Sequence, residues 1–340
     1  MAAAASAVSD TRVGGQLSTA ESFRPVAGRD YPRDFNELVD WFSDEERCYA
    51  FLEGVRWREG FTCPHCGAQE SYWRASRGRR RCTACRKDTS VTAGTVLDKT
   101  RLPLRTWFFA AWYVVNQKNG VSALGLQHVL GLGSYKTAWT WLHKLRRAMV
   151  RPGREMIGGP GKVVEVDETI IGGVRSGQSG RHVGHKIIVV IAVEVEGNGA
   201  GRVGMARIPN MTKDTLTGFI LDNVQRGSIV RTDGWIGYFD VSRYRFQHEV
   251  TNVSASEDPA NVVFPHVHRV ASLVKRWLLG THQGAISSKQ LDYYLDEFTF
   301  RFNRRRSRHR GMLFYRLIEG AMATEPHPFE RLKAAYSWWL

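Results

Sequence analysis

Long hydrophobic runs, acidic residues and cysteines are all scarce along this 340-residue chain, and each shortage narrows what the protein is. The longest apolar runs, Trp107 to Val115 and Ile187 to Val193, fall far below the roughly 18 residues a helix needs to cross a bilayer. No membrane span is predicted. Residues 1–30 are rich in Ala, Gly, Ser and Arg. They lack the continuous apolar core of a secretion signal, so they read as a flexible tail, and a cytoplasmic protein is expected. Asp and Glu number 33 against 48 Lys and Arg, giving a net charge of +15 and a pI near 9.9. That balance makes a polyanion, DNA or RNA, the leading partner. The basic residues cluster, ten between Arg74 and Arg105 against Asp88 and Asp98, and six arginines from Arg301 to Arg310 with no acid among them. Such blocks serve as solvated faces as readily as phosphate contacts.

Of only five cysteines, four stand in two pairs, CPHC (Cys63, Cys66) and CTAC (Cys82, Cys85), with fifteen residues between the pairs. In a reducing compartment zinc explains that spacing better than disulfides do. His65, inside CPHC, is left out because four thiolates already complete a tetrahedron. Cys48 reads as a small buried side chain.

The length suggests two or three domains. Apolar positions at helical spacing over residues 34–59 predict two short helices leading into a zinc ribbon, and together they make up residues 31–100. Residues 101–152 contain an aromatic-rich helix (104–118), a second helix (122–130), a Gly-Leu-Gly-Ser turn and a third helix from Tyr135 to about Met149. This is the outline of a helix-turn-helix, in which Lys136, Lys144, Arg146 and Arg147 are candidate DNA contacts, although a plain helical hairpin would look similar. The tryptophans of these helices, Trp112, Trp139 and Trp141, together with Trp277, Trp338 and Trp339, read as packing residues. Gly153 to Gly161 reads as a linker.

From residue 162 to about 320 the pattern becomes three strands (162–171, 186–196, 202–209), a helix (212–225), two further strands (228–232, 245–251) and helices from about Pro265 and Ser287. That is the element order of an RNase H-like fold, a mixed sheet flanked by helices. The whole is therefore expected to be a multidomain α/β protein ending in a short helix or tail, 321–340. The stretch Gly172 to His185, with Arg175, Arg181, His182 and His185, reads as a basic loop able to lie along a nucleic-acid backbone.

In VVEVDE (Val163 to Glu168) alternation puts Glu165 and Asp167 on one face and Val164 and Val166 on the other. Packing does not explain a carboxylate at Asp167. Asp233 ends a second short strand, followed by Gly234. Either aspartate alone could be a cap or a turn residue. Together on neighbouring strands they favour a shared divalent cation, and phosphodiester attack at a pair of Mg²⁺ or Mn²⁺ ions about 3.5 to 4 Å apart is chemistry that such carboxylates support. On the helix near Pro265, His268 and Lys275 lie seven positions apart on one face, which places the imidazole towards the metal and the lysine, with Arg276, towards DNA.

These motifs resemble the DDE insertion-sequence transposases of bacteria with an N-terminal zinc ribbon, the ISXO-type group. The similarity runs from about Asp34 to Glu319 and rests on CPHC and CTAC, VEVDETIIGG, RTDGWIGY, HVHRVASLVKRWLLGTHQG and YLDEFTFRFNRR. It implies strand cleavage at the element's ends, strand transfer into target DNA, and a homodimer or larger synaptic complex. It maps the first and second acids to Asp167 and Asp233, the third position to His268 in place of glutamate, and the following lysine to Lys275. Glu257, Asp258 or Glu297 are candidate compensating carboxylates, with Glu297 equally suited to pairing the nearby arginines. The competing readings are a non-catalytic DNA-binding regulator built from ribbon and helix-turn-helix, which leaves Asp167 and Asp233 unexplained, and an RNase H-like nuclease acting on other nucleic acid.

Overall fold

The computed structural model describes residues 23–69, 72–75, 78–150, 156–172, 187–251, 260–282 and 288–333. Two helices open it, α1 (Phe35–Trp41) and α2 (Glu45–Arg56), each started by an aspartate, Asp34 and Asp44, whose side chain accepts an orphan N–H of the first turn. A small antiparallel sheet follows, β1 (Tyr72–Ala75), β2 (Arg79–Cys82) and β3 (Asp88–Ser90). Arg80 fastens its inner face to α2. It is 5% exposed, donates to Glu53 at 3.0 Å, and lies over the rings of Tyr72 and Trp57.

Three helices come next, α3 (Leu104–Asn116), α4 (Ala123–Leu130) and α5 (Tyr135–Ala148). Gly131 ends α4 in the left-handed region at φ 61°, and the Ser134 side chain starts α5 by accepting from Thr137 N. All three pack in one core with α1, α2 and a helix from the far end of the chain, α10 (Arg310–Ala323).

After β4 (Ile157–Gly158) the chain builds the main sheet from β5 (Val163–Ile171), β6 (Ile187–Glu196) and β7 (Gly199–Ile208). It crosses through α6 (Lys213–Asn223) and the two-residue β8 (Val224–Gln225), and returns as β9 (Ile229–Asp233) and β10 (Gln247–Thr251). The order across the sheet is β10-β9-β5-β6-β7, with β5, β6 and β7 antiparallel and both β9 and β10 parallel to β5. The short α7 (Ala260–Val263), α8 (Pro265–His282), α9 (Leu291–Asn303), α10 (Arg310–Ala323) and α11 (Phe329–Lys333) complete the chain. The sheet is covered on both faces, because alternation divides its side chains. Val164, Val166, Val190 and Val230 pack against α6, while Ile171, Val189, Ile191 and Val193 pack against α8 and α9.

Two sequence expectations give way here. Part of the supposed linker is ordered strand, since Ile157 and Gly158 pair with Val224 and Gln225 and Ile157 is buried. The boundary drawn at residue 320 is not a packing boundary, because α10 belongs to the N-terminal helical core. Its glycines show how closely it sits. A Cβ at Gly311 would lie 1.7 Å from the Pro32 carbonyl oxygen, and one at Gly320 2.0 Å from that of Ala148.

The two cores are joined by buried polar groups. Glu297 of α9 is fully buried and accepts from Arg146 of α5 at 2.7 Å and from Arg301 at 3.1 Å. Burial alone would raise this carboxyl, yet the two guanidiniums hold it below the ordinary range. Nearby, burial pushes the His282 imidazole down to about 4, with Arg146 adding to the effect, and drives fully buried His143 well below its usual value. Both rings are neutral in the fold, so stability is complete above the unfolded-state value of about 6.5. Below that the unfolded chain binds protons the native rings refuse, and stability falls towards about pH 4. Unfolding free energies from urea titrations are therefore expected to fall from about pH 6.5 towards about pH 4.5, by up to about 1.4 kcal/mol per pH unit for each ring. His282→Phe should flatten the profile.

Candidate active site and zinc centre

The parallel register of β5 and β9 sets the site. Val163 faces Ile229, Val164 faces Val230 and Glu165 faces Arg231. Continued residue for residue, that register brings Asp167 level with Asp233, just beyond the last paired position, on neighbouring strands that in a sheet run about 4.8 Å apart. Each aspartate engages one oxygen with a backbone N–H immediately downstream, Asp167 with Glu168 N at 2.8 Å and Asp233 with Trp235 N at 3.0 Å. The other Asp167 oxygen lies 3.6 Å from His268 Nε2. Burial raises the Asp167 carboxyl above its usual range and the Asp233 charge adds to this, while the Glu168 N–H, His268 and Lys275 act in the opposite sense. The structure thus brings together the four residues singled out from the sequence: Asp167, Asp233, His268 and Lys275.

Two further carboxylates shape the site, and sequence reasoning missed both roles. Glu165 is 3% exposed, and its Oε2 accepts from the backbone N–H groups of His266 and Val267, both at 2.9 Å. Those are orphan donors of the first turn of α8, preceded by Phe264, which has no side-chain acceptor. Glu165 therefore caps the helix from across the sheet and fixes the turn that carries His268. Replacing Glu165 by alanine leaves the buried Val267 N–H and the part-buried His266 N–H without their acceptor, a loss of about 2 kcal/mol. Guanidinium unfolding should register that loss, with Glu165→Gln recovering part of it through its amide oxygen.

Glu168 points to the opposite face, where it accepts the hydroxyl of buried Tyr238 at 2.8 Å. Burial first, then the charges of Asp167 and Asp233, push its carboxyl up to about 7, against the lowering effect of the tyrosine bond. The available signal was the pairing of two motifs, since Glu168 lies in the first aspartate's strand and Tyr238 in the turn after the second.

The other expected residues divide. Arg146, read as a DNA contact, is 2% exposed and locked to Glu297. Removing one partner of such a buried pair costs about 3–5 kcal/mol, so Arg146 is structural and leaves the DNA-facing set. The remainder of α5 is largely inside as well, because Trp141, Leu142, His143 and Leu145 are buried. Lys136, in its first turn, is exposed above the Phe329 ring, Lys144 is half-buried above Trp107, and Arg147 donates to His327. Lys275 and Arg276 are exposed on α8. Arg175, the basic loop around it, Glu257 and Asp258 lie outside the described residues. Glu297 is fully buried with both oxygens engaged by Arg146 and Arg301.

At the N-terminal end the four cysteines converge, their sulfurs all within 4.8 Å of one another, with Cys63 and Cys85 at 3.7 Å and Cys66 and Cys82 at 3.6 Å. A tetrahedron with zinc–sulfur arms of about 2.3 Å has edges of about 3.8 Å, so the spacing fits a structural zinc ion. The two knuckles repeat one geometry. Cys63 N–H bonds to the Ala68 carbonyl and Gly67 N–H to the Cys63 carbonyl; Cys82 N–H bonds to the Lys87 carbonyl and Arg86 N–H to the Cys82 carbonyl. Gly67 and Arg86 both take positive φ, 74° and 58°. His65 lies outside the group and Cys48 is buried in the helical core.

Among the described residues, this is the only set of three or more metal-ligating side chains drawn so closely together. Asp167, Asp233 and His268 form a looser and more open set. Two carboxylates and an imidazole nonetheless suit Mg²⁺ or Mn²⁺, which take oxygen ligands and keep positions for water and phosphate, with the imidazole favouring Mn²⁺. No helix among the described residues is long and apolar enough to cross a membrane.

Comparison with known proteins gives two family matches. Residues 158–303 match the ISXO2-like transposase domain, and residues 43–88 match a transposase zinc-ribbon domain. The chain is also similar to an uncharacterized protein in the transposable element ISH50 of Halobacterium salinarum, 26% identical over 283 residues that cover 77% of this chain and 92% of that protein.

Proposed function

Since the chain belongs to the insertion-sequence DDE transposases with an N-terminal zinc ribbon, the ISXO-type group, we propose that it cuts a DNA strand at the ends of its element and joins the freed 3′-hydroxyl to target DNA. The observation that carries this reading is the level register of Asp167, in the middle of β5, with Asp233, at the end of the adjacent parallel strand β9, with His268 and Lys275 of α8 beside Asp167. The sheet order β10-β9-β5-β6-β7, with its antiparallel arm and its two parallel strands, supports an RNase H-like core. The α4–α5 pair supports a helix-turn-helix that meets DNA through the exposed first turn around Lys136, because the body of α5 is buried.

Asp167, Asp233 and His268 would hold Mg²⁺ or Mn²⁺, which when bound supplies an activated oxygen nucleophile near neutral pH and offsets charge on the leaving oxygen. The chain's own part is positional. Glu165 anchors α8 so that His268 stays on Asp167, while Lys275, two turns further along the helix, lies in position to bind the phosphate backbone. Lys136 and Arg276 extend the basic surface, and two or more copies would bring two element ends together.

The experiment is a cleavage and strand-transfer assay on labelled duplex DNA flanking the gene. Nicks and joined products are expected only when Mg²⁺ or Mn²⁺ is present. His268→Glu is expected to keep or increase Mg²⁺-dependent cutting, since it replaces an imidazole by the harder oxygen donor. Its complete inactivity with an unchanged melting temperature would remove His268 from the metal site.

A further inference from the structure

The turn that follows Asp233 is pinned at several points, yet it holds two large apolar side chains in water. Trp235 donates its indole N–H to the Met211 carbonyl at 3.2 Å and its backbone N–H to Asp233 at 3.0 Å, and Tyr238 is buried with its hydroxyl on Glu168. Gly237 seals the turn against α6, where a Cβ would come within 2.7 Å of both the Leu216 side chain and the Trp235 indole. Between these anchors and beyond them, Ile236 is 61% exposed and Phe239 is 73% exposed. The turn is a short 3-10 helix, in which residues three apart eclipse, so Ile236 and Phe239 share one side of it.

Single exposed hydrophobic residues are ordinary. A paired, rigidly presented patch three and six residues past a metal-binding aspartate is not accounted for by the core, which Trp235 and Tyr238 already complete. Its surroundings select the partner. The Lys213 ammonium stands 5.8 Å from the Phe239 ring, and Arg243 on the next turn is exposed but paired with Asp240 at 3.2 Å, so Lys213 is the cation beside the ring. An aromatic face beside a cation matches a nucleotide, whose base stacks while its phosphate meets the charge. A purely apolar partner surface would leave that cation without a counter-charge.

We propose that Phe239, with Ile236 beside it, is a stacking platform for an unpaired base of the DNA strand next to the phosphate under attack. The proposal rests on the transposase reading of Asp167 and Asp233, and it adds a contact that opens the duplex at the cut. Drawing a base out of the stack is costly, and an aromatic surface at that point offsets the cost.

Phe239 and Ile236 lie in solvent, so their substitution is expected to leave the melting temperature unchanged. The first readout needs no cleavage. Duplexes carrying 5-iodouracil at each position flanking the cut are irradiated with the full-length protein in the absence of divalent ions, and the crosslinked peptides are identified by mass spectrometry. A crosslink at Phe239 from a flanking position is expected; none at any position overturns the proposal, whether or not the protein cuts DNA. The second readout compares rates. Phe239→Ala should cut fully paired DNA about tenfold more slowly, recover at least severalfold when the flanking pair is mismatched, and be matched to wild type by Phe239→Trp. An equal loss on both substrates, or no loss, overturns the proposal. So does a change in oligomeric state on Phe239→Ala, which would make the patch a contact between copies of the chain. Wild type that binds but never cuts would instead count against the catalytic reading.

Discussion

Asp233→Ala is expected to abolish metal-dependent strand cleavage while leaving DNA binding intact. The side chain ends β9 in a half-buried position, and its one described hydrogen bond runs to Trp235 N two residues on. Losing that bond costs about 1 kcal/mol, too little to unfold the domain. The effect on chemistry should be far larger. Changing a group that merely orients a metal ligand typically costs 10-fold to 100-fold in activity, so loss of a direct ligand should cost at least about 100-fold. Binding should hold or tighten slightly, because a negative charge is removed from beside a phosphate. Rate and affinity measured on the same labelled duplex separate these effects, and cutting at the wild-type rate would defeat the assignment of Asp233.

Zinc removal should have the second large effect, and it should be confined to one part of the molecule. The ribbon's own apolar cluster is small, with Phe61, Cys63 and Cys82 at its centre and Trp57, Ala68, Tyr72 and Cys85 around it. Metal ligation, worth about 10–16 kcal/mol in small zinc modules, is then the main source of its order. The helical core formed by α1, α2, α3, α4, α5 and α10 contains many more buried side chains and does not include the knuckles. Chelation should therefore erase hydrogen-exchange protection at the Cys63, Gly67, Cys82 and Arg86 amides while α3, α5 and α10 keep theirs. Cys82→Ser should reproduce the result. Protection unchanged in metal-free protein would show that the ribbon stands without zinc.

Much of this architecture was legible because local patterning and tertiary structure agree. The strand around Asp167 announced itself by the alternation of Val164, Glu165, Val166 and Asp167, and the helix after Phe264 by the proline that opens it. The cysteine pairs needed only their spacing. What escaped depends on distant partners. Arg146 looks like any basic residue on an amphipathic helix, and only the approach of α9 with Glu297 turns it inward. Helix α10 joined the wrong unit for the same reason, since nothing within residues 310–323 records that it packs on Pro32 and Ala148. Glu165 was placed on the correct face but given no task. The clue was a helix beginning at Pro265 with no capping side chain before it, which leaves donors that some other segment must satisfy.

We propose that Asp167 and Asp233 hold one divalent ion between them. Crystals of the protein soaked in Mn²⁺ and measured at the manganese absorption edge test it directly. An anomalous peak within about 2.2 Å of an oxygen from each carboxylate, lost in Asp233→Asn crystals, is expected. Peaks at other sites only, or an ion bound by one aspartate and indifferent to the other, would contradict it.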